Sequence, residues 1–209
     1  MKEQLEKAVI DGQEEVVVAL TQALLAMGTP AREILDDALL PAMAIVGERM
    51  RSGECFIPEV LLSARTMQKA LDTLKPQMAE GESVSLGTVV IGTVEGDLHD
   101  IGKNLVAMLM QGAGFDVVNL GTGVTSAAFV EAVRTHSPRI IGMSALLTTT
   151  LPHMKETINA LSDAGLRDSV KVMVGGAPVT EAYAAEVGAD GYGANAGMAV
   201  ERAKALVGA

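Results

Sequence analysis

The strongest constraint on the fold is a series of short apolar runs in the second half of the chain. They lie at 87–94, 115–121, 139–144 and 171–176, with a weaker run at 189–192. Helical stretches separate or follow them, at about 102–112, 125–136, 150–165, 179–187 and 195–207. Strands that are apolar on both faces and alternate with helices predict an α/β, doubly wound parallel sheet. Five strands suit the flavodoxin-like (Rossmann-like) order 2-1-3-4-5.

The first half of the chain has helical spacing and predicts a small bundle of four helices. Thr29 is the expected N-cap of the third helix, with Pro30 at its first helical position. Pro41 is expected to kink or break that helix. Pro58 is expected to open the fourth helix.

A polar stretch that contains glycine, AEGESVS at 79–85, is the best domain boundary in the chain. We therefore predict a four-helix cap domain over 1–80, a hinge at 81–87 and an α/β domain over 88–209.

Charge and composition exclude several classes of function. The net charge of −10 repels phosphate backbones, so we expect no nucleic-acid partner. Cys55 is the single cysteine and cannot form an internal disulfide, which is typical of a reducing compartment. The charged N-terminus has no apolar signal core, and no apolar stretch approaches the roughly 20 residues that span a bilayer. We predict a cytoplasmic protein with no membrane partner.

The chemically informative residues follow the first, third and fourth predicted strands. In a sheet of this kind, ligands bind beyond the carboxyl ends of the strands, at the switch point between strands 1 and 3. Three segments should therefore converge there. They are Gly96, Asp97, Leu98, His99, Asp100, Ile101 and Gly102; Ser144 to Thr150; and Gly175 with Gly176.

His99 is the candidate metal ligand, because a neutral imidazole binds metals through one ring nitrogen. Asp97 could accept a hydrogen bond from the other nitrogen and fix the tautomer. A lone loop histidine is usually a surface residue, but the position at the switch point favours a functional role. No second His or Cys is placed to complete a zinc site, which needs three or four protein ligands. One histidine suits a metal whose other positions are already filled, such as an ion in a macrocycle.

The remaining residues of these segments have ordinary structural interpretations as well. The Gly175-Gly176 pair would admit a bulky ligand close to the backbone, although such a pair is more often a simple turn. Ser144, Thr148, Thr149 and Thr150 could line a polar slot, or could act as helix caps.

Taken together, these segments resemble a known signature. Gly-Asp-Leu-His-Asp-Ile-Gly at 96–102, Ser-Ala-Leu at 144–146 and Gly-Gly at 175–176 are similar to the cobalamin-binding pattern D-x-H-x-x-G…S-x-L…G-G. The segments 46–49 and 53–60 resemble the cap domain of methionine synthase. Over nearly its whole length the chain resembles the corrinoid proteins of methanol, methylamine and aryl-methyl-ether methyltransferase systems.

The resemblance implies a role for each matching residue. His99 would replace the dimethylbenzimidazole of cobalamin as lower axial ligand of cobalt, leaving the cofactor base-off. Asp97 would hydrogen-bond His99, and Thr150 stands where methionine synthase has a serine that extends this relay. Ser144, Leu146, Thr148, Gly175 and Gly176 would line the slot for the nucleotide tail. Phe56 and Val60 of the cap would cover the face that carries the methyl group. At 195 the chain has Asn where related chains are expected to have Asp.

The resemblance also implies a function and partners. The chain would accept a methyl group through a substrate-specific methyltransferase and pass it to a second methyltransferase acting on tetrahydrofolate or coenzyme M. A reductive activating protein is a further expected partner. Alone, the chain is not expected to turn over a substrate.

Three alternatives start from other functions. In a dinucleotide-binding oxidoreductase, the third glycine of G-x-G-x-x-G would stand where this chain has Ser126. An adenosylcobalamin-dependent mutase subunit would share the Asp-His-Gly loop but would not be expected to have the helical cap. A corrinoid-dependent transcription regulator would need a DNA-binding domain, and the sequence predicts none.

Overall fold

The computed structural model describes residues 1–77 and 85–208, without the side chain of Arg51. Most of the predicted hinge lies outside the described residues. The backbone divides into two compact units, Met1–Ser85 with Met108–Phe115, and Leu86–Ala107 with Asp116–Ala209. Residues 108–115, which the sequence assigned to the α/β domain, are thus grouped with the helical unit.

The helical unit confirms the predicted helical N-terminal region. Its helices are α1 (Lys2–Ile10), α2 (Glu14–Ala26), α3 (Ala31–Ile34), α4 (Leu40–Ser52) and α5 (Ile57–Leu74). Its core is built mainly from buried aliphatic and methionine side chains, among them Leu5, Val9, Val17, Leu24, Ile34, Leu39, Met67 and Leu74. Among the described residues, no helix is both long and apolar enough to cross a membrane.

Two helix boundaries show how proline acts on the backbone here. Pro30 is the N-cap of α3, so the predicted cap at Thr29 was one residue too early. The predicted break at Pro41 takes the form of a π-helical turn over Leu35–Leu39, after which α4 begins. Proline has no N–H to donate to the carbonyl four residues earlier, so a regular α-helix does not continue through it.

The second unit confirms the predicted parallel sheet and its strand order. The strands are β1 (Thr88–Thr93), β2 (Asp116–Asn119), β3 (Ile140–Ser144), β4 (Lys171–Gly175) and β5 (Gly191–Gly193). They lie in the order β2-β1-β3-β4-β5, and every pair is parallel. The helices of this part of the chain are α6 (Ile101–Gly112), α7 (Ser126–His136), α8 (Pro152–Asp163), α9 (Glu181–Val187) and α10 (Ala196–Val207).

Burial on both faces explains why the central strands read as continuous apolar runs. Val89, Val90 and Ile91 of β1 are all buried, although successive side chains point to opposite faces. Gly92 continues this strand without a side chain, and a β-carbon there would lie 2.8 Å from Cζ of Phe129. The glycine therefore lets α7 pack closely on β1.

The register of the sheet aligns the carboxyl ends of four strands. Thr93 pairs with Ser144, Ser144 with Gly175, and Gly175 with Gly193. The loops that follow these strands consequently leave from one edge of the sheet, which is where the sequence predicted the site.

Candidate functional site

The carboxylate of Asp97 is fully buried and joins the loop after β1 to the loop after β3. Its Oδ1 accepts hydrogen bonds from the backbone N–H of His99 at 3.0 Å and from Nδ1 of the same residue at 2.7 Å. Its Oδ2 accepts from the N–H groups of Leu146 at 2.7 Å and Leu147 at 3.1 Å, and from Oγ1 of Thr150 at 3.0 Å. One side chain therefore connects two segments some fifty residues apart.

These hydrogen bonds determine the charge of Asp97. Burial alone would raise the pKa of this carboxyl. The hydrogen bonds donated by His99 and by the backbone of Leu146 and Leu147 outweigh burial and hold its pKa well below the ordinary range of aspartate. Asp97 is thus an anion at neutral pH and acts only as an acceptor.

The tautomer of His99 follows from this anion. Because Asp97 can only accept, Nδ1 carries the hydrogen and Nε2 of the neutral ring has a free lone pair. Within the described residues, nothing else hydrogen-bonds the ring, whose side chain is 52% exposed. Nε2 is therefore available to a metal ion outside the protein surface.

The backbone of this loop is held at further points. Thr93 Oγ1 donates to the carbonyl of His99 at 3.0 Å, and the N–H of Gly123 donates to the carbonyl of Asp97 at 3.0 Å. Gly96 has a φ of 78°, which permits the sharp turn out of β1. The imidazole is thus presented by a fixed loop.

Large apolar side chains next to His99 are left exposed. Leu98 is 76% exposed and Ile101 is 88% exposed. Leu146 and Leu147, whose N–H groups bind Asp97, also have exposed side chains. Apolar groups clustered around a polar donor are typical of a surface that a ligand covers.

Thr150 is buried, and it is the residue of the segment 144–150 whose side chain reaches Asp97. Its Oγ1 also lies 2.9 Å from the carbonyl of Leu147. A hydroxyl has one hydrogen, so this donor is shared between the Asp97 carboxylate and the carbonyl. Thr148 begins the short 3₁₀ turn that ends at Thr150 and is exposed, while Ser144 at the end of β3 is partly buried.

The protein's own backbone lies close to Gly175, the last residue of β4, and to Gly176, the residue after it. Gly176 has a φ of 123°, and a β-carbon there would lie 1.9 Å from the carbonyl oxygen of Ala145. A β-carbon at Gly175 would lie 3.1 Å from the carbonyl oxygen of Gly193. A close approach of backbone therefore accounts for Gly176, whereas the contact at Gly175 is tight but would be relieved by a shift of a few tenths of an ångström.

The other predicted residues have varied surroundings. Asp100 Oδ2 accepts a hydrogen bond from Asn104 Nδ2 at 2.9 Å, and Gly102 has open space where a β-carbon would be. Asn195 is the N-cap of α10, where its Oδ1 accepts from the N–H of Met198 at 2.9 Å.

In the helical unit, Phe56 and Val60 lie at the start of α5 and have opposite exposures. The Phe56 ring is largely exposed, and its N–H donates to Glu59 Oε2 at 2.8 Å. Val60 is buried in the helical core together with Ala64 and Met67.

Sequence reasoning missed two residues that hold the His99 loop and its surroundings. Thr93 binds the carbonyl of His99, and a threonine at the end of a strand gives no signal of that contact. Lys103 is buried in the first turn of α6, where a lysine is normally expected to be exposed.

The donor set of this site suits a metal that brings most of its own ligands. Within residues 1–77 and 85–208, no group of three or more His, Cys, Asp or Glu side chains is arranged to hold a metal ion. A single imidazole Nε2 beside exposed apolar side chains fits a cobalt ion whose equatorial positions are filled by a corrin ring.

Two protein-family models match the chain. Residues 87–201 match the family described as "B12 binding domain", and residues 1–75 match a second family of the same description. The first match lies in the C-terminal part of the chain and the second in its N-terminal part.

Known proteins are similar to the chain over nearly its whole length. Trimethylamine corrinoid protein 1 of Methanosarcina acetivorans is 42% identical over 202 residues, which are 96% of this chain and 94% of that protein. The dimethylamine corrinoid protein of Methanosarcina barkeri is 43% identical over 206 residues, covering 98% of this chain and 96% of the relative. In the solved methanol:cobalamin methyltransferase complex of Methanosarcina barkeri, one chain matches with a TM-score of 0.85 and 32% identity, covering 98% of this chain and 78% of its own length. The chain belongs to the B12-binding family of corrinoid proteins.

Proposed function

We propose that this protein carries a methyl group on the cobalt of a bound corrinoid, between two methyltransferases. The observation that carries the proposal is the imidazole of His99, held through Nδ1 by the buried Asp97 carboxylate with Nε2 free. The names of the similar proteins, which refer to trimethylamine, dimethylamine and methanol, support a role in methyl transfer.

The residues present fit the lower side of such a cofactor. The corrinoid, when bound, supplies a cobalt ion to which a methyl group can be attached and from which it can be removed. His99 would hold the cobalt through Nε2 in place of the cofactor's own benzimidazole, which would leave the cofactor base-off. Leu98 and Ile101 offer exposed apolar surface beside the imidazole. Covering these two side chains would stabilise the complex by the hydrophobic effect.

Asp97 would fix the proton on Nδ1 of the imidazole, and Thr150 donates a hydrogen bond to the other oxygen of that carboxylate. The hydrogen on Nδ1 points at Oδ1 of Asp97 over 2.7 Å, so the ring keeps one orientation. Nε2 would hold the metal only as an unprotonated nitrogen, while Nδ1–H stays hydrogen-bonded to Asp97. A proton and the metal would therefore compete for Nε2.

The helical domain is proposed to cover the face that carries the methyl group. Phe56 has an exposed ring available for this role, whereas the buried Val60 contributes to the helical core. The predicted hinge would let the cap move aside for each partner. A protein with a shortened hinge that transfers methyl groups at the normal rate would contradict that motion.

Two methyltransferases and a reductive activating protein are the proposed partners. The first methyltransferase would act on a methylated substrate, and the methylamines and methanol are the donors to test first. The second would pass the methyl group to tetrahydrofolate or to coenzyme M. Protein loaded with ¹³C-methylcobalamin should keep its label alone and lose it when a matching second enzyme and its acceptor are added.

Cobalamin reconstitution tests the proposed ligand directly. The purified protein is incubated with hydroxocobalamin, freed of excess cofactor and examined by visible absorption beside its His99→Ala and His136→Ala variants. His136 is an exposed residue at the end of α7 and provides the matched control. We expect the spectrum of imidazole ligation in the unchanged protein and in His136→Ala, and its loss in His99→Ala. Failure of the unchanged protein to retain cobalamin would overturn the proposal.

The upper ligand of the native cofactor separates this function from a mutase. Corrinoid extracted in the dark from freshly purified protein should carry methyl or no organic ligand. Recovery of an adenosyl group instead would contradict the role of a methyl carrier.

A further inference from the structure

A buried lysine lies four residues after His99 and takes no part in the site described above. Lys103 is in the first turn of α6, and only 3% of its surface is exposed. Its Nζ donates hydrogen bonds to Oδ1 of Asn104 at 2.8 Å and to Oδ1 of Asn119 at 2.6 Å. Asn119 is the last residue of β2, so the amine ties the start of α6 to the end of that strand.

Further hydrogen bonds close this cluster and extend it to the loop that carries His99. Asn119 Nδ2 donates to Asn104 Oδ1 at 3.0 Å, and Asn119 Oδ1 also accepts from the N–H of Gly121 at 3.0 Å. Asn104 Nδ2 donates to Oδ2 of Asp100 at 2.9 Å. Since Asp100 directly follows His99, the cluster reaches the residue next to the imidazole.

The electrostatics of the cluster are unusual for a structural lysine. In the part of the chain that the structure describes, no carboxylate hydrogen-bonds the Lys103 amine, which donates instead to two amide oxygens. Burial lowers the pKa of Lys103, and the nearby charge of Asp100 opposes that effect. Because a buried amine needs every hydrogen bond to offset its lost hydration, the cluster has little freedom to rearrange.

The other hydrogen bonds that hold the His99 loop act on its N-terminal side. Asp97 ties the loop to the segment after β3, and Thr93 and Gly123 hold its backbone. These contacts all act at or before His99. Lys103 and its partners act on the C-terminal side, where the loop enters α6.

We propose that Lys103 is a positioning residue for His99. Through Asn104 and Asn119 it fixes the first turn of α6 against the end of β2, and it thereby sets the position of the imidazole under the corrinoid. This inference rests on the proposed function, in which His99 is the axial ligand of cobalt.

The test replaces Lys103 by Met, which has similar length and no ammonium. Lys155→Met is the matched control, because Lys155 Nζ donates to the carbonyl of Val187 at 3.2 Å, at the end of α9. The proteins are loaded with cobalamin and reduced to the Co(II) state. Electron paramagnetic resonance then gives the ratio of imidazole-ligated to unligated cobalt, while bound corrinoid and thermal unfolding are measured separately.

Lys103→Met should lower that ratio by about tenfold, the scale typical of groups that orient a metal ligand. Lys155→Met should keep the ratio of the unchanged protein. Asn119→Ala removes an acceptor at an exposed position and should lower the ratio in the same direction, which keeps the test decisive if Lys103→Met folds poorly.

Two results would overturn the inference, and they are distinguishable. If His99→Ala loses ligation but Lys103→Met keeps the ratio of the unchanged protein, only the positioning role of Lys103 is removed. If Lys103→Met does not fold, an unchanged ratio in Asn119→Ala has the same meaning. If His99→Ala has the same spectrum as the unchanged protein, the proposed axial ligand is wrong, and the positioning role falls with it.

Discussion

Nδ1 of His99 lies 2.7 Å from Oδ1 of Asp97, a carboxylate that is itself fully buried and holds three donors on its other oxygen. The imidazole is exposed while the group that orients it is not. Solvent and ligands can therefore reach Nε2 without disturbing the hydrogen bonds that fix the ring.

Replacing Asp97 by Asn tests how much the fold depends on this carboxylate. The NH2 group of the new side chain would face N–H or O–H donors, and the charged oxygen that accepts their hydrogen bonds would be gone. We expect the free energy of unfolding to fall by about 3 kcal/mol in chemical denaturation, since charged hydrogen bonds are lost and donors are left without acceptors. Asp163→Asn, at the exposed end of α8, removes the same charge and should change the free energy of unfolding little. Equal effects of the two variants would contradict the structural role of Asp97.

The lowered pKa of Asp97 makes its contribution dependent on pH. A carboxyl whose pKa is lower in the folded than in the unfolded protein adds stability above its unfolded pKa, and this stability is lost as the pH falls. The difference in unfolding free energy between the unchanged protein and Asp97→Asn should be constant above about pH 5 and shrink below about pH 4. Denaturation curves from pH 3 to 7 measure it. A difference that grows on acidification would have the wrong sign.

Thr150 supplies one hydroxyl that is shared between Asp97 and the carbonyl of Leu147. Thr150→Val keeps the shape of the side chain but removes the hydroxyl, and it should lower the free energy of unfolding by about 1 kcal/mol. Thr150→Ser retains the donor and should preserve the proton coupling of His99, measured as the pH dependence of the visible spectrum of the cobalamin-loaded protein. If Ser and Val variants behave alike in both measurements, the hydroxyl has no part in the relay.

Gly176 and Gly121 together test the energetic effect of the close approach between the backbone at Gly176 and the carbonyl of Ala145. Both have positive φ, at 123° and 85°, but a β-carbon would meet the Ala145 carbonyl at Gly176 and nothing within 4 Å at Gly121. Gly121→Ala should cost about 1 kcal/mol of stability from its φ alone. Gly176→Ala should cost about 3 kcal/mol or more, because backbone atoms must move apart. Thermal and chemical unfolding of both variants measure the difference, and equal losses would show that the close approach has no energetic weight.

The sheet was predictable because burial on both faces leaves a direct mark on composition. Val89, Val90 and Ile91 form an apolar run for that reason, and the alternation with helices then predicts the strand order. Pro30 was misplaced by one residue because Thr29 is also a good capping residue, and only the backbone geometry decides between them.

The site was predictable to the extent that its contacts are local or matched a known pattern. Asp97 and His99 are two residues apart in one loop, so their hydrogen bond was a natural hypothesis. The N–H donors of Leu146 and Leu147 could not be predicted, because every residue except proline has such a group. The partners of Lys103 depend on how β2 pairs with β1, which places Asn119 next to α6 and has no signal in the sequence near Lys103.

Isotope labelling of histidine tests the central claim most directly. Protein that contains ¹⁵N only in its histidines is loaded with unlabelled cobalamin, reduced to Co(II) and examined by electron paramagnetic resonance. If Nε2 of His99 is the axial donor, each cobalt line should be split into two by ¹⁵N rather than three by ¹⁴N, and His99→Ala should lose the splitting. A threefold ¹⁴N splitting in the labelled protein would mean that the benzimidazole stays on the metal, and would contradict the account.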